Sequence, residues 1–402
     1  MKILIVSQYF WPENFRINDL ALGLQERGHD IHVLTGKPNY PNGTFSKGYS
    51  FFKKRNDKYK GIKIFRSTLF PRGNGSGAKL MVNYLSFAFF ASIKAFFHKE
   101  KYDLVFVYEP SPITVGIPAI VIAKKLKIPI HFWVQDLWPE SVSVAGQLSN
   151  KYVLKSLNNL TKWIYKNSKS VLIQSEGFRE YILNQGVRDE KIIYYPNSTE
   201  SLYNIVVPKK EILELVPKVS FSVMFAGNIG ESQDFENILE AAKILKDKTI
   251  DIHFVILGNG RKKDFVLSKI KEYKLENNFH LLGAFPVNTM PDFFACADIL
   301  LVSLKKSRIF SLTIPSKVQS YLACGKPIVG ALDGEGAKVI RDSNSGLVAS
   351  SGDCKQLADK IFELYKMSEK ERYLLGKNAR EYFDNNFERE NLIDKLIKIL
   401  KN

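Results

Sequence analysis

Cysteine is scarce in this chain: Cys296, Cys324 and Cys354 are the three in 402 residues, and none forms a C-x-x-C pair. That excludes a disulfide framework and a structural zinc site, and it suits a reducing, cytoplasmic compartment. The six histidines show no ligand spacing on a helix, and no Asp-x-Asp triplet occurs, so no metal is expected. Low-complexity tracts are missing too. The apolar opening Met1–Val6 is cut short by Gln8, Glu13 and Arg16, which makes it a strand rather than a secretory leader. The longest apolar stretch, Leu80–Phe97, is interrupted by Asn83, Ser86, Ser92 and Lys94, so it reads as a buried or membrane-facing helix and not a span.

Negative charge is short in the first half. Residues 1–200 hold 28 Lys/Arg against 15 Asp/Glu, while residues 201–402 hold 30 against 26, within a net charge of +17. Such an excess can meet nucleic acid, an anionic membrane or a phosphorylated substrate.

What is present is a folded composition, 45% hydrophobic and 25% charged, with enough length for two domains. Short β-rich runs alternate with helical stretches, the mark of parallel α/β architecture. Strands are expected at Lys2–Ser7, His29–Gly36, Ile62–Ser67, Leu104–Tyr108, Ile130–Gln135 and Ser170–Gln174. After a Pro-bracketed stretch the alternation restarts at Val219–Ala226 and continues through Ile252–Leu257, Phe279–Leu282, Ile299–Val302 and Pro327–Ala331. The expected fold is α/β: two doubly wound, Rossmann-like domains, facing across a cleft built from the carboxyl ends of their strands. The expected boundaries are 1–198, a linker at 199–217, a second domain at 218–380, and a C-terminal helix at 381–402 packing back on the first domain.

Three segments of the second half carry chemistry. Phe221–Gly230 is a strand running into a glycine turn (Gly227-Asn228-Ile229-Gly230) and a helix, a junction that suits a phosphate or simply needs glycine for steric reasons. Phe254–Lys263 repeats it with Gly258 and Gly260 and adds Arg261, Lys262 and Lys263. In Ile314–Val329, Pro315 opens a helix, Ser316 and Lys317 fill its first turn, and Gly325 ends it. A lysine there opposes the helix dipole unless an anion sits nearby, which favours a phosphate ligand.

The ordered set Gly227-Asn-Ile-Gly, Leu257-Gly-Asn-Gly, Leu282-Gly-Ala-Phe-Pro, Ala297-Asp298 and Pro315-Ser-Lys…Ala-Cys-Gly-Lys-Pro resembles the family 4 retaining glycosyltransferases of the GT-B fold. The opening Lys2-Ile-Leu-Ile-Val-Ser-Gln-Tyr-Phe-Trp-Pro-Glu and the later Leu22-Gly-Leu-Gln-Glu-Arg-Gly-His resemble them as well. Within the family the chain is similar to bacterial O-antigen and capsule assembly enzymes, L-fucosamine transferases in particular. The resemblance implies that Gly227, Asn228, Gly230, Gly258, Ser316, Lys317 and Ser320 bind a nucleotide sugar, with the backbone around Phe285 reading the base, uracil by expectation. It implies an acceptor site in the first domain, with Glu13 facing the transferred sugar or the acceptor. It also implies attack on the donor's own face, without a protein nucleophile.

Three departures from the family pattern stand out, at five positions. Ser320 and Leu312 stand where glutamates are usual, Gln233 and Asn228 where a lysine and an arginine are usual, and Gln135 where a histidine is common. Lys317 and Arg261 are then the replacement cations. In Trp133–Glu140, Gln135 and Asp136 follow a strand, where a carboxylate can orient an acceptor hydroxyl or stabilise an oxocarbenium-like transition state. Asp136 can equally be a helix cap. Glu109 is similarly placed.

Lys53-Lys54-Arg55, Lys58, Lys60, Lys63 and Arg66 interleave with Phe51, Phe52, Tyr59 and Phe65, and Lys151–Lys169 forms a second basic, apolar-backed stretch. Cations beside apolar anchors fit the inner face of the cytoplasmic membrane, or else a solvated helix face. No nucleic-acid recognition motif accompanies them. The expectation is therefore metal-independent transfer, without a resident cofactor, of an N-acetylated deoxyhexosamine such as N-acetylfucosamine. The sugar passes from a UDP-sugar donor to an undecaprenyl-diphosphate-linked saccharide. A UDP-sugar 2-epimerase of the same fold and a non-catalytic sugar-nucleotide-binding protein are the alternatives.

Overall fold

Short, continuously apolar runs fix the architecture. The computed structural model describes residues 1–141 and 150–402. It divides into two units, Met1–Asn197 with Ile393–Asn402, and Ser198–Leu392.

In the first unit the strands are β1 (Lys2–Val6), β2 (Asp30–Gly36), β3 (Asn56–Tyr59), β4 (Ile62–Ser67), β5 (Leu104–Glu109), β6 (Ile130–Val134), β7 (Ser170–Ile173) and β8 (Ile192–Tyr194). Their order is β3-β4-β2-β1-β5-β6-β7-β8. Only β3 runs antiparallel, in a hairpin with β4. The central strands are apolar end to end, because helices cover both faces of the sheet. Ile3, Leu4, Ile5 and Val6 of β1 are all buried, and each such side chain contributes roughly 1.5–3 kcal/mol.

The second unit holds β9 (Ser222–Ala226), β10 (His253–Leu257), β11 (Phe279–Gly283), β12 (Ile299–Ser303), β13 (Ile328–Ala331) and β14 (Gly346–Ala349). They lie in the order β11-β10-β9-β12-β13-β14, all parallel. Alternate residues feed two cores, one on each face: Val223, Phe225, Ile256 and Leu301 on one side, Met224, Val255, Leu257 and Leu300 on the other. Strand order reverses between β1 and β5 and again between β9 and β12, and open α/β sheets bind ligands beyond the carboxyl ends of strands at such points.

Three strands were not expected. β3 is half-exposed and polar, β8 has three residues, and β14 begins with glycine, so none carries a strong apolar signal. The stretch read as a linker forms the helix Lys210–Leu215 and lies within the second unit. The C-terminal helix breaks at Phe387 into Glu369–Asn386 and Arg389–Lys401. Only the residues from Ile393 onward group with the first unit, rather than all of 381–402. They are tied there by an Arg27–Asp394 ion pair at 2.9 Å and by Lys169 Nζ donating to the Asn402 carbonyl at 2.7 Å.

The aromatic helix expected near Leu80–Phe97 spans Gly77–Phe96. It turns Leu80, Tyr84, Phe87, Ala88 and Ala91 inward. Among the described residues, no helix is long and apolar enough to cross a membrane.

Candidate functional site

In the second unit the turns after β9, β10 and β11 are lashed together by backbone. Gly227 N–H donates to Leu257 O at 2.8 Å, Gly258 N–H to Gly283 O at 2.7 Å, and Ile229 N–H to Asn259 O at 2.8 Å. Gly227 and Gly258 have φ of +146° and +144°. A Cβ on Gly258 would fall 1.8 Å from the Gly227 carbonyl oxygen, and one on Gly227 would fall 2.5 Å from Lys317 Cε. These glycines are therefore demanded by both conformation and space. The same bonds change the sequence expectation: the N–H groups of Gly227 and Ile229 are committed to neighbouring carbonyls, so the glycine turn is a floor for the site more than a phosphate cradle.

The floor belongs to a cavity of about 480 Å³. Gly227, Asn228, Gly258, Phe285, Ser316, Lys317 and Ser320 all line it. Gly230 and Arg261 do not: Gly230 lies buried against the Asn228 side chain, and Arg261 is exposed. Ser320 Oγ donates to Ser316 O at 3.1 Å, so its hydroxyl is occupied within its own helix.

Apart from Phe285, sequence reasoning missed the aromatic wall. Tyr203 stacks on Phe294 with ring centres 6.1 Å apart, Phe294 meets Tyr321 edge-on at 5.1 Å, and Phe285 packs on Phe293. Tyr203 lies in the supposed linker and gave no periodic signal. Met290 and Phe294, four apart on the helix Met290–Cys296, were findable from spacing.

Lys317 gives the cavity its chemistry. It sits in the first turn of the helix Ser316–Ala323, whose opening N–H groups have no partner inside the helix. Burial pushes its ammonium down to about 7. The neighbouring cations differ: Lys262 and Lys305 both pair with Glu231 and hold that carboxyl down to about 2. Lys317 has no carboxylate or hydrogen-bond partner among the described residues, only the Phe225 ring beneath it. A half-buried, desolvated cation without an anion, beside an aromatic wall, is built to receive one from a ligand.

In the first unit the candidate carboxyl groups gather at the carboxyl ends of three adjacent strands. Glu13 lies in the loop after β1, Glu109 ends β5, and Gln135 and Asp136 follow β6. One oxygen of Glu13 accepts N–H bonds from Asn39 and Tyr40, both at 2.8 Å, yet burial still raises its carboxyl to about 7. Burial raises Asp136 to about 6, against a 3.0 Å bond from the Leu137 N–H. Glu109 is fully buried and pushed well above the usual carboxylate range, first by burial and then by the charge of Asp136. The Gln135 carbonyl accepts from Gln174 Nε2 at 3.0 Å. Carboxyl groups poised between pH 6 and 7 can exchange protons at neutral pH.

Residues 14–198 match the glycosyl transferase 4-like domain, and residues 213–382 match the glycosyl transferases group 1 domain. The chain is a GT-B glycosyltransferase. Among its relatives is WcaI of Escherichia coli, named for glycosyl transfer in colanic acid biosynthesis, 23% identical over 81% of this chain and 82% of that protein. Another is the Campylobacter jejuni N,N'-diacetylbacillosaminyl-diphospho-undecaprenol alpha-1,3-N-acetylgalactosaminyltransferase, 26% identical over 70% of this chain and 74% of that one. Anabaena HepE in complex with UDP shares the transferase's fold with a TM-score of 0.71 at 13% identity, each chain covered in full. Among the described residues of the transferase, no group of three or more His, Cys, Asp or Glu side chains is placed to hold a metal.

Proposed function

We propose that the transferase moves a sugar, with retention, from a UDP-sugar to a lipid-linked saccharide in bacterial surface-polysaccharide assembly. Lys317, half-buried and without a carboxylate or hydrogen-bond partner among the described residues, carries this reading. A nucleoside diphosphate supplies the anion that Lys317 lacks, while its base and ribose meet the wall of Tyr203, Phe285 and Phe294. The leaving diphosphate is then stabilised by Lys317 and by the helix N-terminus behind it, without a metal. In the first unit, ionised Asp136 orients the acceptor hydroxyl, Gln135 contributes its amide, and Glu13 exchanges a proton. The lipid-linked acceptor is supported by the activity named for the Campylobacter relative, and the polysaccharide pathway by the name of WcaI. An N-acetylated deoxyhexosamine such as N-acetylfucosamine is the proposed cargo.

A thermal-shift comparison of UDP, GDP, ADP and dTDP, with and without chelator, tests the donor site. The expected result is a selective UDP shift, insensitive to chelator and lost in Lys317→Ala. No shift with any of the four would sink the donor reading.

A further inference from the structure

We infer that three adjacent helices of the first unit form a docking face for an anionic lipid bilayer. The helices are Gly77–Phe96, Gly116–Leu126 and Lys151–Lys166, and the second packs against both others. This extends the lipid-linked acceptor proposed above, yet it stands on observations that involve no nucleotide.

The first observation is an unpartnered apolar stripe. Val82, Leu85, Phe89, Ile93 and Phe96 recur at intervals of three and four, so they share one face of their helix. Each is between 43 and 61% exposed. The opposite face is already buried in the unit, so the stripe is surplus to folding. Phe52 and Phe97, more than two-thirds exposed, flank it. Between the helix and the loop bearing Phe52 runs a groove of about 680 Å³, lined by Phe51, Phe90 and Ile93 and bordered by Arg55, Lys94 and Lys99 with one acid, Glu100.

The second observation is charge of one sign. The three helices carry two, two and four lysines in turn, and not one aspartate or glutamate. Ordinary solvated helices mix signs, as Glu369–Asn386 of the second unit does. The cations also lie beside the exposed aromatics. Lys125 Nζ is 6.0 Å from the centre of the Phe96 ring, and Lys124 Nζ is 5.8 Å from that of Trp163 on the neighbouring helix. The apolar and basic elements therefore run across all three helices.

Shallow apolar insertion beneath a layer of lysines is how a protein lies on a membrane that it does not cross. Nucleic acid satisfies the charge, but it has no use for aliphatic side chains such as Val82, Leu85 and Ile93, which offer no ring to stack on.

Sedimentation of the full chain with vesicles of phosphatidylcholine, alone or mixed with phosphatidylglycerol, tests the face. Binding is expected to the mixed vesicles only and to weaken with salt. The double variant Phe89→Glu/Ile93→Glu should bind roughly tenfold less tightly or worse, and so should Lys162→Glu/Lys166→Glu. All four side chains are on the outer surface, and the UDP shift and circular dichroism of each variant report on its folding. Equal binding of variants and wild type would overturn the inference. So would equal binding to both vesicle types, or capture of single-stranded DNA with no vesicle binding. Vesicle binding without any UDP shift would instead remove the donor reading and leave the docking face standing.

Discussion

The Lys317 ammonium lies 3.8 Å from the centre of the Phe225 ring, one of the most deeply buried aromatics of the second unit. A ring face is a weak partner for a desolvated cation, worth about 2 kcal/mol, and it leaves all three ammonium protons without an acceptor. The arrangement is tolerable in the empty protein because the lysine can shed its proton near neutral pH.

Binding of a diphosphate should therefore take up a proton. At pH 8 the free lysine is mostly neutral and the bound one charged, so UDP affinity should fall as pH rises above 7. Calorimetry in buffers of different ionisation enthalpy reads this directly, and uptake near zero would mean that Lys317 stays clear of the ligand. Lys317→Met should abolish the uptake and also raise the melting temperature of the empty protein at pH 6, where a desolvated, unpaired charge is removed. Arg261→Ala, at an exposed site off the cavity, should leave affinity within about threefold, or roughly 0.7 kcal/mol.

The two glycines should respond unequally. Gly258→Ala drives a methyl into the Gly227 carbonyl, a backbone atom that cannot step aside. Its cost should exceed the roughly 1–3 kcal/mol of a strained backbone alone. Gly227→Ala meets the far end of a flexible lysine. It should cost stability less and nucleotide affinity more. Chemical denaturation and UDP titration of both variants separate the two effects.

Glu13 sets a pH-dependent stability. The unfolded chain releases this proton near 4.5, and the folded chain releases it near 7. Between those values the folded state binds more protons, so stability falls as pH rises through the window. Glu13→Gln keeps an oxygen for the Asn39 and Tyr40 N–H groups and has nothing to ionise. Its stability advantage should grow from pH 4.5 to 7.5 and approach about 3 kcal/mol. A pH-independent difference would place Glu13 in a wetter setting than its burial indicates.

Asp136 can orient or accept only when ionised, so turnover should rise as pH passes through about 6. Asp136→Asn should lower turnover about 10²- to 10⁴-fold and leave the UDP shift intact. Loss of both together would make Asp136 a structural residue, which anchors its turn by accepting the Leu137 N–H at 3.0 Å.

The apolar strands and the glycine turns were legible because burial on both faces and positive φ write themselves directly into residue choice. β3 was not legible, since Asn56, Asp57, Lys58 and Tyr59 form an edge ribbon held by pairing with β4 and not by burial. Lys317 stood out as a cation at the wrong end of a helix. Its isolation did not, because the sequence shows other lysines just after strands β10 and β12, Lys262 and Lys305, and only geometry gives both of them to Glu231. Tyr203 reaches the cavity from a stretch whose prolines suggest nothing but a connection.

The first unit is interrupted: residues 198–392 fold as the second unit before residues 393–402 return to complete it. A ribosome therefore releases every strand of both sheets before the first unit has its final helix, with Asp394 for Arg27 and the Lys395 ammonium 5.3 Å from the Tyr194 ring centre. The first unit therefore cannot close before residues 393–402 are made. Until its closing residues emerge, the β8 edge and the end of the helix Arg16–Glu26 are left uncovered to whatever chaperone or neighbouring chain is nearest.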